Sequence, residues 1–369
     1  MTAHANDRPA TAGLRTGYTT GACAAAAARA AARYLVRGTA PREIGIVLPN
    51  GRPASFPVAH AEIIGAARRC AVEKDAGDDP DVTHGAWIVA DVEPAPGGVE
   101  IRGGPGVATV TRPGLGLEVG APAINPVPRR NISDMVRAEL AGSAVAGARV
   151  TVSVPRGEEI ARGTMNARLG LLGGISILGT TGVVRPFSTA AWQASVAAAI
   201  DVARARALDT LVLTTGGRTE AHAMRLRPGT PEAAFIQVGD AVGAALRHAA
   251  RRGIARVELV AMVGKMSKLA AGSFQIHASR SEVDLGFLAA VTAELGAAAA
   301  VLAEVAAANT AREALGAWRR AGIETDVAAA LCRRAAARCA AHAPPLHVRT
   351  ELVGFDGAVL GRGAAEAER

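Results

Sequence analysis

Aromatic residues are scarce in this 369-residue chain: three Trp, two Tyr and six Phe make up 3% of it. Stacking platforms for bases are therefore few, which argues against binding of single-stranded nucleic acid, and the core has to be packed with Ala, Val, Leu and Ile. Cysteine is equally thin. Cys23, Cys70, Cys332 and Cys339 make no CxxC pair and no zinc spacing, so they read as reduced thiols of a cytoplasmic protein, and no metal site is expected. The first residues, MTAHANDRPATAG, lack the basic and apolar regions of a signal peptide. The nearest thing to a membrane span, 286–309, is mainly alanine and carries Glu294 and Glu304, so no membrane partner is expected. Neither GxGxxG nor GxxxxGK[ST] occurs. No Ser-His-Asp order or paired-carboxylate spacing marks a hydrolase.

What is present is an apolar chain, 50% hydrophobic, whose length predicts about two domains. The net charge of +8 comes from 41 basic and 33 acidic residues, with arginine spread along the chain. A distributed arginine excess fits an acidic small molecule at least as well as a polyanion. The segment EIGIVLPNGRPASFPVAHAEII reads as two strands joined at Asn50-Gly51. Further strands are expected at Ala67–Glu73, Ala86–Val92, Val99–Ile101, Val107–Thr111 and Arg149–Val154, with a helix at Ile132–Leu140. This is an α+β domain with antiparallel strands, residues 1–155. Residues 156–345 then alternate strands (Gly174–Leu178, Thr210–Leu213, Arg256–Met262) with helices (Thr189–Arg206, Pro231–Arg252, Glu282–Leu295, Thr310–Ala321, Asp326–Ala341). That texture predicts a three-layer α/β domain with a mainly parallel sheet. A strand at His347–Val353 opens the segment 346–369.

Local chemistry singles out several stretches. In LRTGYTTGACAAAAARAAA, Thr19 or Thr20 can cap a helix start and Gly21 can admit a ligand to the backbone, which suits an anion. Three Gly-rich turns are expected at the carboxyl ends of parallel strands, where α/β sheets bind ligands: Gly179-Thr180-Thr181-Gly182, Thr214-Thr215-Gly216-Gly217-Arg218, and Gly264-Lys265-Met266-Ser267-Lys268. PGLGLEVGAPAINPVPRRNI is stiffened by proline and delivers Asn125, Arg129 and Arg130, whose guanidinium forks match carboxylates. His84 and His277 are the histidines nearest these features.

Several of these segments, in order, resemble the CbiD family of cobalt-precorrin-5B C1-methyltransferases: LRTGYTTGACAAAAARAA at Leu14, DDPDVTHGA at Asp78, GGPGVATVTRPGL at Gly103, GAPAINPVPRRNI at Gly120, TTGGRTE at Thr214, PEAAFIQVGDAVG at Pro231 and GKMSKLAAGSFQIHASRSEVD at Gly264. The resemblance implies transfer of a methyl group from S-adenosylmethionine to C1 of an anionic corrinoid, with cobalt as part of the substrate. It also implies an α+β domain joined to an α/β domain. On that basis Gly179, Thr180, Thr181, Gly182, Gly216 and Gly217 are expected to contact the methyl donor. Arg15, Thr19, Thr20, Gly21, Asn125, Arg129, Arg218 and Lys265 are expected to engage the ring's carboxylates, and His277 to accept a proton. A homo-oligomer, or hand-over to other pathway enzymes, is compatible with this reading. Two rival readings are a nucleotide-dependent phosphotransferase built on GKMSK and the TTG turns, and a non-enzymatic corrinoid carrier.

Overall fold

An alanine run can be buried on all sides only where its neighbours come close, and the helix Thr20–Arg37 (α1) is such a case. Ala22–Ala28 and Ala30–Ala32 have essentially no exposure. Thr19 caps the start, its Oγ1 accepting from the Ala22 N–H, and Gly38 closes the end with a left-handed φ of 70° and an N–H donated to the Tyr34 carbonyl. α1 packs against the helix Pro126–Leu140 (α2), and together with strand residues such as Cys70, Ile88, Val92, Val150 and Val152 it fills one apolar core.

The computed structural model describes residues 13–274, 276–277 and 281–366 and divides into two compact units at Ser188/Thr189. In the first unit, His60–Ile64 (β1), Ala67–Glu73 (β2), Trp87–Ala95 (β3), Gly98–Gly103 (β4) and Gly147–Ser153 (β5) form a five-stranded sheet. Its order is β1-β2-β3-β5-β4, antiparallel except for the parallel pair β5 and β4. Glu43–Val47 and Pro53–Pro57 make the hairpin expected at Asn50-Gly51, with Gly51 at φ 83°. The division falls at 188 rather than 155 because the intervening segment pairs backward. Gly174–Ile175 runs parallel to Gly106–Val107, Leu171–Leu172 antiparallel to Thr109–Val110, and Val183–Val184 antiparallel to Gly17–Tyr18.

The second unit holds Thr189–Ala205 (α3), Thr210–Thr214 (β6), Gly217–Leu226 (α4), Phe235–Gln237 (β7), Val242–Arg251 (α5), Arg256–Ala261 (β8) and Val263–Ala270 (α6). Leu285–Glu294 (α7), Ala299–Ala306 (α8), Ala311–Arg320 (α9), Glu324–His342 (α10), His347–Val353 (β9) and Val359–Ala365 (β10) follow. The sheet order is β7-β6-β8-β9-β10, with the first four strands parallel and β10 antiparallel at the edge. Alternate side chains leave opposite faces. Leu211, Leu213, Ile236 and Leu259 join Leu246 of α5, Leu269 of α6 and Leu331 of α10 in one cluster. Val212, Phe235, Val260 and Val353 meet Ala223 of α4 in another.

Three expectations are corrected. The strand Gly174–Leu178 shrinks to Gly174–Ile175 and lies outside the parallel sheet. The helix read over Pro231–Arg252 is broken: Phe235–Gln237 is a strand and only Val242–Arg251 is α-helical, because Gly239 at φ 56° turns the chain between them. GKMSK is not a loop, since Val263–Ala270 is helical. Among the described residues no helix is long and apolar enough to cross a membrane, and no three His, Cys, Asp or Glu are grouped to hold a metal ion.

Candidate functional site

The turn before α1 is filled from within the chain. Gly21 donates its N–H to the Leu178 carbonyl at 2.9 Å, Thr19 donates to the Gly182 carbonyl at 3.0 Å, and the Thr20 hydroxyl donates to the Ser176 carbonyl while accepting from the Leu178 N–H. A Cβ on Gly21 would lie 2.6 Å from Pro128 Cγ, and one on Gly179 only 2.4 Å from Thr19 Oγ1. Gly182 is closed off by Leu48 and Pro49. These glycines permit close packing rather than ligand approach, which corrects the open anion seat expected at Thr19, Thr20 and Gly21. Thr180 and Thr181 are exposed, the Thr181 hydroxyl meeting the backbone of Val183.

Arg15 is spoken for as well. Its guanidinium grips Asp75 through two hydrogen bonds, and its N–H donates to Asp78 Oδ2 at 2.7 Å. Behind this contact Lys74, only 1% exposed, donates to Asp81 Oδ2 at 2.7 Å, and Asp81 Oδ1 accepts from the N–H and hydroxyl of Thr83. Burial opposes ionisation of Asp81, yet the hydrogen bonds from Lys74 and Thr83 hold its carboxyl below the ordinary aspartate value. His84 accepts the Ala76 N–H through Nδ1, an assigned tautomer. The segment DDPDVTHGA is thus a polar joint: Asp78 exchanges backbone and side-chain bonds with Arg15, and the Asp75 carbonyl just before it accepts from the Tyr18 N–H.

Asn125 caps α2 without a side-chain bond, its N–H donating to the Ile177 carbonyl. From the first turns of α2, Arg129 reaches the Ile101 carbonyl at 3.1 Å. Arg129, Arg130, Ser133, Asp134 and Arg137 line a depression of about 350 Å3 on this unit.

The second unit presents a different arrangement. Its parallel strands run β7-β6-β8, so the connection leaving β6 goes to one side and the connection entering β8 crosses to the other. The crevice where they part lies beyond the carboxyl ends of β6 and β8, the place where such sheets bind ligands. The turn Thr215-Gly216-Gly217 follows β6. Gly216 caps α4 with no side-chain bond, and a Cβ on Gly216, Gly217 or Gly264 would meet no described atom within 4 Å. Lys265, near the start of α6, donates from Nζ to the Thr215 carbonyl at 2.7 Å and pairs with Asp240 Oδ1 at 3.0 Å. His277 Nε2 stands 3.7 Å from Asp240 Oδ2. Lys268, buried, donates to the carbonyls of Ile276 and Ser281, and burial lowers its ammonium pKa against the pull of Asp240.

The edge therefore gathers Thr215, Gly216, Gly217, Lys265 and His277, which the sequence singled out, with Asp240, to which it gave no role. Gly179–Gly182 belongs to the other unit. Arg218 lies at the first turn of α4, with Phe355 beneath it 5.9 Å away and Arg312 over the same ring at 4.3 Å. The Phe355 pair escaped notice because a lone phenylalanine in a hairpin carries no spacing signal. Asp240 had one: an acidic residue soon after a short apolar run that follows a Gly-rich turn. GKMSK is no phosphate loop, as Lys268 faces carbonyls and Lys265 a carboxylate.

Comparison with known proteins agrees with the segment matches. The CbiD family model covers residues 7–186, and the model for the CbiD C-terminal domain covers 275–364. A protein of Salinispora arenicola named cobalt-precorrin-5B C(1)-methyltransferase is 52% identical over 335 residues, 89% of this chain and 88% of its own. Proteins of the same name from Leptospira borgpetersenii (47% over 355 residues, 96% of each chain) and Rubrobacter xylanophilus (52% over 351 residues, 93% of this chain and 89% of its own) are also similar. The crystal structure of a cobalamin biosynthesis protein (CbiD) from Archaeoglobus fulgidus is 27% identical, covers 72% of this chain and 83% of its own, and aligns with a TM-score of 0.40. With both family models matched and relatives near half identity over almost its whole length, the chain belongs to the CbiD family.

Proposed function

We propose that this chain methylates C1 of cobalt-precorrin-5B with S-adenosylmethionine, giving cobalt-precorrin-6A in cobalamin biosynthesis. The names of relatives 45–52% identical over most of the chain support the activity. The single structural observation that carries the donor is the uncapped Gly216-Gly217 turn beside Asp240 and Lys265, at the sheet's divergence point. These residues fit the donor: a helix start with room at its glycines suits an anionic tail, and a carboxylate suits hydroxyls. The finer fold reading, an antiparallel α+β part and a three-layer α/β part, is proposed with it.

Bound S-adenosylmethionine supplies an electrophilic methyl group on a sulfonium that leaves as a neutral thioether. The nucleophile is a carbon of an electron-rich conjugated ring, so the protein is asked for position more than for proton transfer. The absence of a Ser-His-Asp or paired-carboxylate arrangement in the sequence accords with this. Lys265 fixes the crevice by tying the Thr215 carbonyl to the Asp240 carboxylate. Arg129 and Arg130 at the depression of the first unit are the cations proposed for the ring's acetates and propionates, and His277 is proposed as a proton acceptor.

Formation of S-adenosylhomocysteine by the purified protein, measured with and without the corrinoid under anaerobic conditions, tests this reading. Corrinoid-dependent turnover is expected. Retention of the pigment with no turnover would instead make the chain a carrier.

A further inference from the structure

We infer that Asp240 takes the ribose hydroxyl pair of the adenosine-bearing methyl donor. The inference rests on the methyl-donor reading above and goes further, by assigning the donor's nucleoside to one unit and one carboxylate. Three observations converge on it.

The first is position. In nucleotide-binding α/β sheets a Gly-rich turn follows the first strand, and an acidic residue about 20 residues farther on, at the second strand, meets the ribose hydroxyls. Here the Gly216-Gly217 turn follows β6. Asp240 comes 23 residues after Gly217, three beyond the end of β7, which pairs parallel with β6. The second is direction. Gly239 adopts φ 56° between the strand and Asp240, and a Cβ there would come 3.2 Å from the Trp192 indole nitrogen. Trp192 in turn donates to the Val238 carbonyl at 2.9 Å, and beyond this turn the Asp240 carboxylate meets Lys265, whose ammonium also bonds the Thr215 carbonyl.

The third is chemistry. An ionised carboxylate only accepts and offers about four lone-pair sites, whereas a vicinal diol donates two hydrogen bonds. Lys265 uses one side of Asp240, through Oδ1, and the same ammonium donates to the Thr215 carbonyl beside Gly216. His277 Nε2 faces the other oxygen from 3.7 Å, so the carboxylate is held next to the open turn with at most two of its acceptor sites engaged. The other glycine turn offers no such partner, since Gly179 is packed on Thr19 and Gly182 on Leu48 and Pro49.

Isothermal titration of the full chain with S-adenosylhomocysteine and with its 2′,3′-dideoxy analogue tests the assignment without turnover. The wild type is expected to bind the analogue about 10- to 100-fold more weakly, the worth of hydrogen bonds to a charged acceptor. Asp240→Asn is expected to lose a similar factor for S-adenosylhomocysteine and to distinguish the two ligands hardly at all. Lys265→Met, which keeps the acceptor but removes the ammonium that holds it, is expected to bind both ligands more weakly while still preferring S-adenosylhomocysteine to the analogue, and circular dichroism melts establish that each variant is folded. Unchanged affinity in Asp240→Asn, or discrimination that survives it, overturns the assignment while leaving the donor reading intact. A wild-type protein that binds neither ligand overturns the donor reading and this assignment together.

Discussion

At the scale of single residues, a glycine is informative only through what its missing Cβ faces. Gly21, Gly179 and Gly182 face protein atoms, whereas Gly216, Gly217 and Gly264 face no described atom within 4 Å, although all six stand in similar small-residue stretches of the sequence. Substitution separates the two kinds. Gly216→Ala is expected to leave stability within about 0.5 kcal/mol, because its φ of 166° is extended backbone, and to weaken binding of S-adenosylhomocysteine. Gly179→Ala meets both a left-handed φ of 127° and the Thr19 side chain, and is expected to lower the melting temperature clearly. Lys74 and Asp81 give a second residue-scale prediction. Asp81→Asn strands a buried ammonium and is expected to cost about 3 kcal/mol in chemical denaturation. Because the folded carboxyl titrates below its ordinary value, that stability is fully present above the aspartate range and is lost as pH falls through the lowered value. The gap between wild type and variant should close in acid and stay level around neutrality. A gap that persists unchanged below the aspartate range would contradict the pairing.

At the scale of elements, α1 shows why an alanine run was legible as a helix but not as a site. The sequence offered Thr19 or Thr20 as the cap; the structure uses Thr19, and Gly38 closes the helix. What local reading could not reveal is that Leu178 and Gly182, some 160 residues on, reach back to accept the N–H groups that looked free. Such long-range backbone pairing leaves no local signature. The strands Ala67–Glu73 and His347–Val353 were readable to the residue, being short segments bounded by turn formers, Gly65 and Gly77 for the first and Pro345 and Gly354 for the second. β7 was not, because Phe235–Gln237 is three residues long between helix-forming stretches, and losing it hid Asp240 at its end. The helical GKMSK was misplaced for a related reason: a glycine and two lysines look like a loop, yet Met266 and Leu269 bury into the core at helical spacing. Close packing of α1 is testable. Ala26→Leu is expected to destabilise the protein by about 1–3 kcal/mol through overpacking, measured by denaturant unfolding. Arg33→Ala, by contrast, loses only one of the two arginines that hold Glu139 on α2 and is expected to have the smaller effect.

At the scale of the whole molecule, the family models account for the chain at both ends, and the relatives match along nearly all of it. The parallel pairing of Thr210–Thr214, Arg256–Ala261 and His347–Val353 was legible because these strands alternate with helices. The segment 156–188 was read with the second half, since its partners, Gly17–Tyr18, Gly106–Val107 and Thr109–Val110, lie far upstream. The proposed division of labour places the methyl donor at the divergence point of the parallel sheet and gives arginines the anionic ring. Arg129→Ala is accordingly expected to weaken corrinoid binding, read by absorbance titration, while the melting curve stays unchanged, because its guanidinium makes one backbone contact. Unaltered affinity would remove Arg129 from the proposed ring site. The most direct measurement is anaerobic incubation of the protein with cobalt-precorrin-5B and S-adenosylmethionine carrying a 13C-labelled methyl group, followed by NMR of the isolated product. The account predicts one labelled methyl at C1, and a product with no label there would contradict it.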